Sequence, residues 1–294
     1  MLDDSTKKDI SKVSLELLKS SKSYGVYPTP VQQIVAHANL KIATKGLIIK
    51  EPGIFERFSS LLMQGLDKVR GALDRSEKTI YLNIDQDKRG LRKNFVTLHE
   101  VGHDVIPWQS QTLGCLDSDE TLDPDTEEAF EAEANYFASL TLFQHNLFAE
   151  QFEKLELGIK APLHLSKTFG ASIHSTLRRY VEENKKRIAL LVLKDISKKG
   201  SLPNCSVRNY FQSPKFTKEF GRVTWPEQLG YTWPFVPYYY HNRRLVENDS
   251  VLLNTKNGEV QFSFHFFCNS YNAFVLIFPK GEKNRTRTKI ILTK

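Results

Sequence analysis

The pattern His-Glu-x-x-His occurs at His99-Glu100-Val101-Gly102-His103. On a helix, side chains four positions apart lie one turn above each other, so His99 and His103 can offer their imidazoles to a single metal ion. Glu100 then lies beside that metal, where it would act as a general base. Zn²⁺ suits two neutral imidazoles and a carboxylate, and it leaves a fourth position for a water molecule whose pKa falls toward about 7.

A buried helix is needed to hold these side chains in place. Phe95, Leu98, Gly102 and Ile106 recur at helical spacing and share a face with both histidines. Pro107 is expected to end this helix. Two hydrogen-bonded histidines in an ordinary core would show the same face and are the less favoured interpretation.

A third ligand is expected from a second helix, which begins after Asp123-Pro124-Asp125 and continues over residues 127–140. Glu131 and Asn135 are four positions apart on it, so the Glu131 carboxylate could reach the metal while the Asn135 amide steadies an imidazole. Glu133 projects from another side of the helix and is the alternative ligand. Taken alone, the segment is typical of a solvated acidic helix, and only the first motif favours a ligand role.

Two runs of residues carry a resemblance to the ImmA/IrrE family of metallopeptidases: Arg92-x-x-Phe95-x-x-x-His99-Glu100-x-Gly102-His103 and Glu131-x-Glu133-Ala134-Asn135-x-Phe137-Ala138. The likeness extends over residues 27–194. It implies a zincin-like fold and zinc-dependent endopeptidase activity, and members of the family act on DNA-bound transcriptional repressors.

The resemblance also implies roles for individual residues. His99, His103 and Glu131 match the family's zinc ligands, and Glu100 matches its catalytic glutamate. The family's usual Met-Pro after the second motif is replaced by Phe143-Gln144. This departure concerns the substrate rather than the chemistry. A role in transcription regulation and stress response is part of the same expectation.

Composition narrows the class of protein. The 294 residues carry a net charge of +7, with three cysteines and no Cys-x-x-Cys pair, so a thiolate zinc site is not indicated. Cys115, between the two motifs, could still lie near the site. No apolar run is long enough for a membrane span and the first residues lack a signal pattern, so we expect a cytoplasmic protein. The basic second half could approach nucleic acid, but direct binding is not the favoured interpretation.

The remaining segments predict an α+β protein. Residues 69–73 and 78–84 form a predicted hairpin, whose second strand could pair with an extended substrate peptide. Residues 46–50 are expected to form a strand and residues 54–66 a helix or irregular cover. Residues 108–124 are expected to be a loop over the cleft. Residues 162–187 show a weak resemblance to a helix-turn-helix motif. Packing helices with a solvated charged face are favoured over a DNA-binding role.

The last third of the chain is rich in short β-type runs, the final one at residues 288–292. The aromatic segment 225–241 is expected to fill the interface between the domains, with a ligand-sensing surface as the alternative. We therefore predict a zincin-like metallopeptidase domain over 1–184 and a β-rich regulatory or substrate-recognition domain over 185–294.

The function expected from these features is a zinc endopeptidase that cuts a specific regulatory protein. The alternative is a non-catalytic zinc-containing sensor or partner-binding module. The group that would stabilise the oxyanion is left open among Tyr136, His145, His164 and His174.

Overall fold

A computed structural model describes residues 2–43, 71–82, 90–115, 122–197, 202–269 and 271–282. Helices and strands are mixed along the chain, which confirms the predicted α+β class at this level. The expected strand at 46–50, the helix at 54–66 and the final strand at 288–292 lie outside the described residues. No helix in the described ranges combines the length and the apolar character needed to cross a membrane.

The chain divides into two compact units. The first is Met1–Phe148 with Ser166–Ser172, and the second is Ala149–Leu165 with Ile173–Lys294. The predicted functional boundary at residue 184 stays a prediction.

The first unit contains a small mixed sheet and several helices. Its elements are α1 (Asp4–Ser20), α2 (Val31–His37), β1 (Lys41–Ala43), β2 (Gly71–Asp74), β3 (Thr79–Leu82), α3 (Gly90–Val105), α4 (Pro107–Cys115) and α5 (Pro124–Leu142). Strand β3 is central, parallel to β1 and antiparallel to β2. The predicted hairpin is confirmed in its described part. The prediction that its second strand receives a peptide is wrong, because both edges of β3 are already paired.

Helices α3 and α5 pack closely because Gly102 has no side chain. A Cβ at Gly102 would lie 3.0 Å from Cδ1 of Phe137 and 3.4 Å from Cα of Ala134. Helix α5 begins where predicted, since the Asp123 side chain accepts a hydrogen bond from the Thr126 backbone N–H and Pro124 follows it. This close contact brings the two metal-motif helices together.

The prediction of a loop over residues 108–124 is wrong for residues 108–115, which are helical. Helix α3 does end before Pro107, as predicted, but Pro107 then begins α4, which continues to Cys115. Proline is favoured in the first turn of a helix, where its missing N–H is not needed. Residues 116–121 lie outside the described ranges, and so does the side chain of Cys115.

The second unit is organised around a six-stranded antiparallel sheet. The elements that follow α5 along the chain, most of them in this unit, are α6 (Asn146–Phe152), α7 (Lys160–Phe169), α8 (Ile173–Glu182), β4 (Ala189–Lys194), β5 (Asn204–Gln212), α9 (Pro214–Phe220), β6 (Gln228–Gly230), α10 (Phe235–Tyr240), β7 (Leu245–Thr255), β8 (Gly258–Cys268) and β9 (Ala273–Pro279). The strand order is β6-β5-β4-β9-β8-β7. The β-type runs between residues 188 and 279 are thereby confirmed as strands.

Helices α7 and α8 are the two helices expected around Gly170, whose φ of 67° ends the first of them. The basic side chains of α8 are paired with glutamates four residues further along the chain: Arg178 Nε lies 2.9 Å from Glu182, and Arg179 Nε lies 2.7 Å from Glu183. Such pairing is typical of packing helices with a charged surface, which was the favoured interpretation of this segment.

The aromatic segment packs into the core of the second unit. Trp233 and Phe235 stack with ring centroids 5.7 Å apart, and Phe235 meets Phe264 of the sheet edge-to-face at 5.9 Å. Phe235 is fully buried. A structural role for this segment follows from these contacts, while a ligand-sensing surface stays a prediction.

Replacing Phe235 by alanine is expected to lower the free energy of unfolding by about 3–5 kcal/mol, because the substitution leaves a cavity against the sheet. Denaturant unfolding, followed by tryptophan fluorescence, measures this loss. Tyr231→Ala is the matched control, since Tyr231 is 43% exposed and should cost within about 0.5 kcal/mol. Equal effects of the two substitutions would contradict the packing role.

Candidate metal centre

The structure brings His99 and His103 of α3 together with Glu131 of α5. The Nε2 atoms of the two histidines lie 3.1 Å apart. Glu131 spans them, with Oε2 at 3.3 Å from His99 Nε2 and Oε1 at 3.2 Å from His103 Nε2. The histidine side chains are largely buried, whereas that of Glu131 is 54% exposed. The carboxylate side of the cluster is therefore its open side.

These distances can be compared with what a zinc ion requires. Tetrahedral bonds of about 2.0–2.1 Å would place neighbouring ligand atoms about 3.3 Å apart. The two Nε2 atoms lie 3.1 Å apart, close to that value, and each has a different Glu131 oxygen beside it, at 3.3 Å for His99 and 3.2 Å for His103. The ligand atoms, two imidazole nitrogens and a carboxylate oxygen, also form a set that zinc prefers. His99, His103 and Glu131 thus fit a zinc ion in both chemistry and spacing.

The electrostatics of the cluster also favour a cation. Hydrogen bonds from His103 and then His99 hold the pKa of Glu131 well below its usual range, against the opposing effect of burial. Burial lowers the pKa of His99, but the hydrogen bond to Glu131 and the charges of Glu100 and Glu131 outweigh it and raise that pKa overall. Positive charge at this point is therefore stabilised by the surrounding carboxylates.

Glu100 lies one residue beyond His99 and is 7% exposed. Burial raises the pKa of its carboxyl group, and the charges of His99 and His103 oppose that effect. A raised pKa suits a group that must accept a proton and release it again. Its Oε1 atom lies against Gly71 of β2, where a Cβ would be only 2.7 Å away.

Gly71 is therefore expected to control the position of the Glu100 carboxylate. In Gly71→Ala, the new methyl group would also lie 2.8 Å from Cγ1 of Val96, so the carboxylate or the helix must move. We expect kcat/KM for peptide cleavage to fall about 10- to 100-fold, because a displacement near 1 Å disrupts proton transfer. Zinc affinity should stay close to that of the unchanged protein. Equal cleavage by both proteins would contradict this role, and Gly230→Ala is the control, since nothing lies within 4 Å of its Cβ position.

Two cations of the β2–β3 turn hold the hairpin against the end of α3. Arg75 donates from Nη2 to the backbone oxygen of His103 at 3.0 Å, and Lys78 Nζ lies 2.7 Å from Asp104 Oδ1. Burial lowers the pKa of Arg75, although the charges of Asp104 and Glu100 oppose this shift. Sequence reasoning identified the turn but missed Arg75, since nothing local shows which helix the turn will face.

Glu133, the alternative ligand, lies in a buried network behind His103. Its Oε2 accepts hydrogen bonds from Trp108 Nε1 at 2.7 Å and from Gln109 Nε2 at 2.6 Å. Gln109 Oε1 in turn lies 2.8 Å from His103 Nδ1. Sequence reasoning missed Trp108 and Gln109 because their segment was expected to be a loop, although a proline at its start is a helix-start signal.

Asn135 lies next to His99 and contributes to the raised pKa of that imidazole. The Nδ1 atom of His99 is buried and makes no hydrogen bond of ordinary geometry. The predicted role of Asn135 in orienting an imidazole stays a prediction.

The four residues considered for the oxyanion are placed differently. His145 Nε2 lies 3.0 Å from Ser14 Oγ, so its ring takes part in the packing of α1 against the end of α5. His164 and His174 belong to the second unit, and Tyr136 follows Asn135 on α5. The choice among them stays open.

Two histidines and a glutamate on packed helices, with a second, buried glutamate beside them, form an arrangement that metal-dependent hydrolases use. Residues 52–180 match the family model described as the IrrE N-terminal-like domain, of the peptidase M78 type. The chain therefore contains a domain of this family, and the resemblance to ImmA/IrrE metallopeptidases is confirmed.

Known structures add a likeness in fold. The chain is similar to a transcriptional regulator of Mycobacterium tuberculosis, with a TM-score of 0.53 and 11% sequence identity over 98% of this chain and 81% of that chain. At this identity the likeness concerns the fold alone. The search of curated proteins found no match.

Proposed function

We propose that this protein is a zinc-dependent endopeptidase that cleaves a specific regulatory protein. The observation that carries the proposal is the juxtaposition of His99, His103 and Glu131 with the buried carboxylate of Glu100. A purely structural zinc site needs no buried glutamate beside its ligands. The membership of residues 52–180 in a peptidase-type family supports the same conclusion.

The chemistry follows from the positions of these side chains. A bound zinc ion would polarise the scissile carbonyl and lower the pKa of the attacking water. Glu100 would take a proton from that water and pass it to the leaving amine. His99 and His103 would supply neutral nitrogen ligands, and the partly exposed Glu131 would complete the set on the side open to solvent.

The small sheet offers a place for the substrate backbone. Because β3 is paired on both sides, β1 and β2 are the outer strands of the described sheet, and Gly71 of β2 touches Glu100. An extended peptide pairing with β2 would pass the general base. This position replaces the one predicted on β3.

The substrate is proposed to be a regulatory protein such as a DNA-bound transcriptional repressor, in the cytoplasm, with cleavage linked to transcription regulation and the stress response. The resemblance to the ImmA/IrrE family supports this. The second unit, with its six-stranded sheet, would recognise the substrate or control the activity. Direct nucleic-acid binding is not part of the proposal.

The competing function is a zinc-containing sensor or partner-binding module without catalysis. Glu100 distinguishes the two functions, because only the enzyme needs it. The test compares new protein N-termini in cells that produce this chain with those in cells that produce the Glu100→Gln variant, both at rest and under stress. A few termini that require Glu100 would establish an endopeptidase and identify its substrate. Identical termini, with zinc present in both proteins, would overturn the proposal in favour of the binding module.

A further inference from the structure

The side-chain amide of the buried residue Gln109, next to His103, is held in one orientation by its neighbours. Gln109 is fully buried, and its Nε2 lies 2.6 Å from Glu133 Oε2 and 3.1 Å from the backbone oxygen of Phe130. Both of these neighbours are hydrogen-bond acceptors, so the NH₂ group must face them. The amide oxygen of Gln109 must then face His103.

This orientation determines which nitrogen of His103 carries the proton. Gln109 Oε1 lies 2.8 Å from His103 Nδ1 and can only accept, so Nδ1 must donate. The hydrogen bond from His103 Nε2 to Glu131 therefore exists only in the doubly protonated ring, and in the neutral ring, which a metal ion needs, Nε2 keeps its lone pair. Nε2 is the nitrogen that faces His99 and Glu131. The imidazole is thus held in the tautomer that a metal requires.

Glu133 makes the opposite orientation unfavourable. If the Gln109 amide were reversed, its oxygen would face the Glu133 carboxylate, and two buried acceptors would meet without a hydrogen bond. Glu133 is itself held by Trp108, whose Nε1 donates to the same oxygen at 2.7 Å. Because α4 begins at Pro107, both Trp108 and Gln109 lie in its first turn and reach α5 together.

We propose that Gln109, fixed by Glu133 and Trp108, is a positioning residue that selects the metal-binding tautomer of His103. This inference rests on the proposed zinc site and adds residues outside the family's ligand motif. Partners of this kind typically contribute 10- to 100-fold to metal affinity, which is the expected size of the effect.

The first experiment replaces Gln109 by leucine and uses two measurements that need no peptide cleavage. The zinc dissociation constant, from chelator competition, is expected to rise about 10- to 100-fold. The ¹⁵N shifts of the His103 ring, in zinc-free protein at alkaline pH, are expected to lose the signature of a single Nδ1–H tautomer. Gln111→Leu is the matched control, since Gln111 is exposed on the same helix and should change neither value.

A second variant guards against simple misfolding. Gln109→Met has nearly the length of glutamine, but its thioether sulfur is only a weak hydrogen-bond acceptor. Its zinc dissociation constant is expected to rise about 10- to 100-fold, as in Gln109→Leu, and a value within about threefold of the unchanged protein would count against the inference. Thermal unfolding of the zinc-free proteins verifies that each is folded.

The outcomes separate this inference from the proposed function. Unchanged zinc affinity and an unchanged His103 tautomer in Gln109→Leu, with cleavage intact, would overturn the inference alone. The expected changes at His103 in a protein that produces no new N-termini would overturn the endopeptidase and support the inference. Failure of the unchanged protein to bind zinc would overturn both.

Discussion

Replacing Glu100 by glutamine is expected to lower kcat/KM for peptide cleavage by about 10²- to 10⁴-fold while zinc remains bound. Glutamine has nearly the same shape as glutamate but cannot accept a proton from water. Glu100 is not among the three side chains whose atoms converge at the metal position, so its neutralisation leaves the ligands in place. Steady-state cleavage of the substrate identified from the new N-termini, with zinc content measured on the same samples, tests this expectation.

The matched control for Glu100→Gln is Glu128→Gln, the same chemical change at an exposed position of α5. It should leave both cleavage and zinc content unchanged. Cleavage by Glu100→Gln at the rate of the control would show that another group acts as the base. Loss of zinc from Glu100→Gln would instead mean that Glu100 is a ligand.

Helices α3 and α5 could be predicted because the sequence signals for them are local. Apolar residues at helical spacing determine the face of α3 that is buried, and His99 and His103 lie on that face by their spacing alone. The start of α5 is equally local, since Asp123 and Pro124 act within one turn. Such features depend on neighbours in sequence, so the chain itself displays them.

The features that sequence reasoning missed depend on contacts between distant segments. Strand β1 precedes the hairpin by 27 residues in the chain, yet its pairing makes β3 central, which no local pattern indicates. Helix α4 has no apolar stripe of its own, and its polar residue Gln109 is held instead by His103 and Phe130. Periodicity reports which residues face a core, so it could not detect a helix whose buried side is polar.

For the same reason, the spacing of residues could not decide whether Glu131 or Glu133 is the metal ligand. Both lie on α5 within two residues, and the choice depends on how α5 crosses α3, which Gly102 allows to be close. In the structure Glu131 faces both histidine Nε2 atoms, while Glu133 accepts hydrogen bonds from Trp108 and Gln109. Glu131 therefore needs its charge to bind a metal, whereas Glu133 needs only an oxygen that accepts hydrogen bonds. Substitution of each by glutamine should distinguish the two roles.

Glu131→Gln is expected to weaken zinc binding more than about 100-fold, the upper range for a residue that only supports a ligand, because it removes a charged ligand itself. Glu133→Gln should weaken it only severalfold, since an amide oxygen can still accept from Trp108 and Gln109. Chelator competition on both variants, beside the exposed control Glu128→Gln, gives the three dissociation constants. If Glu133→Gln lost zinc while Glu131→Gln kept it, the ligand assignment would be reversed. The exposed position of Glu131 would then require another role, such as contact with the substrate.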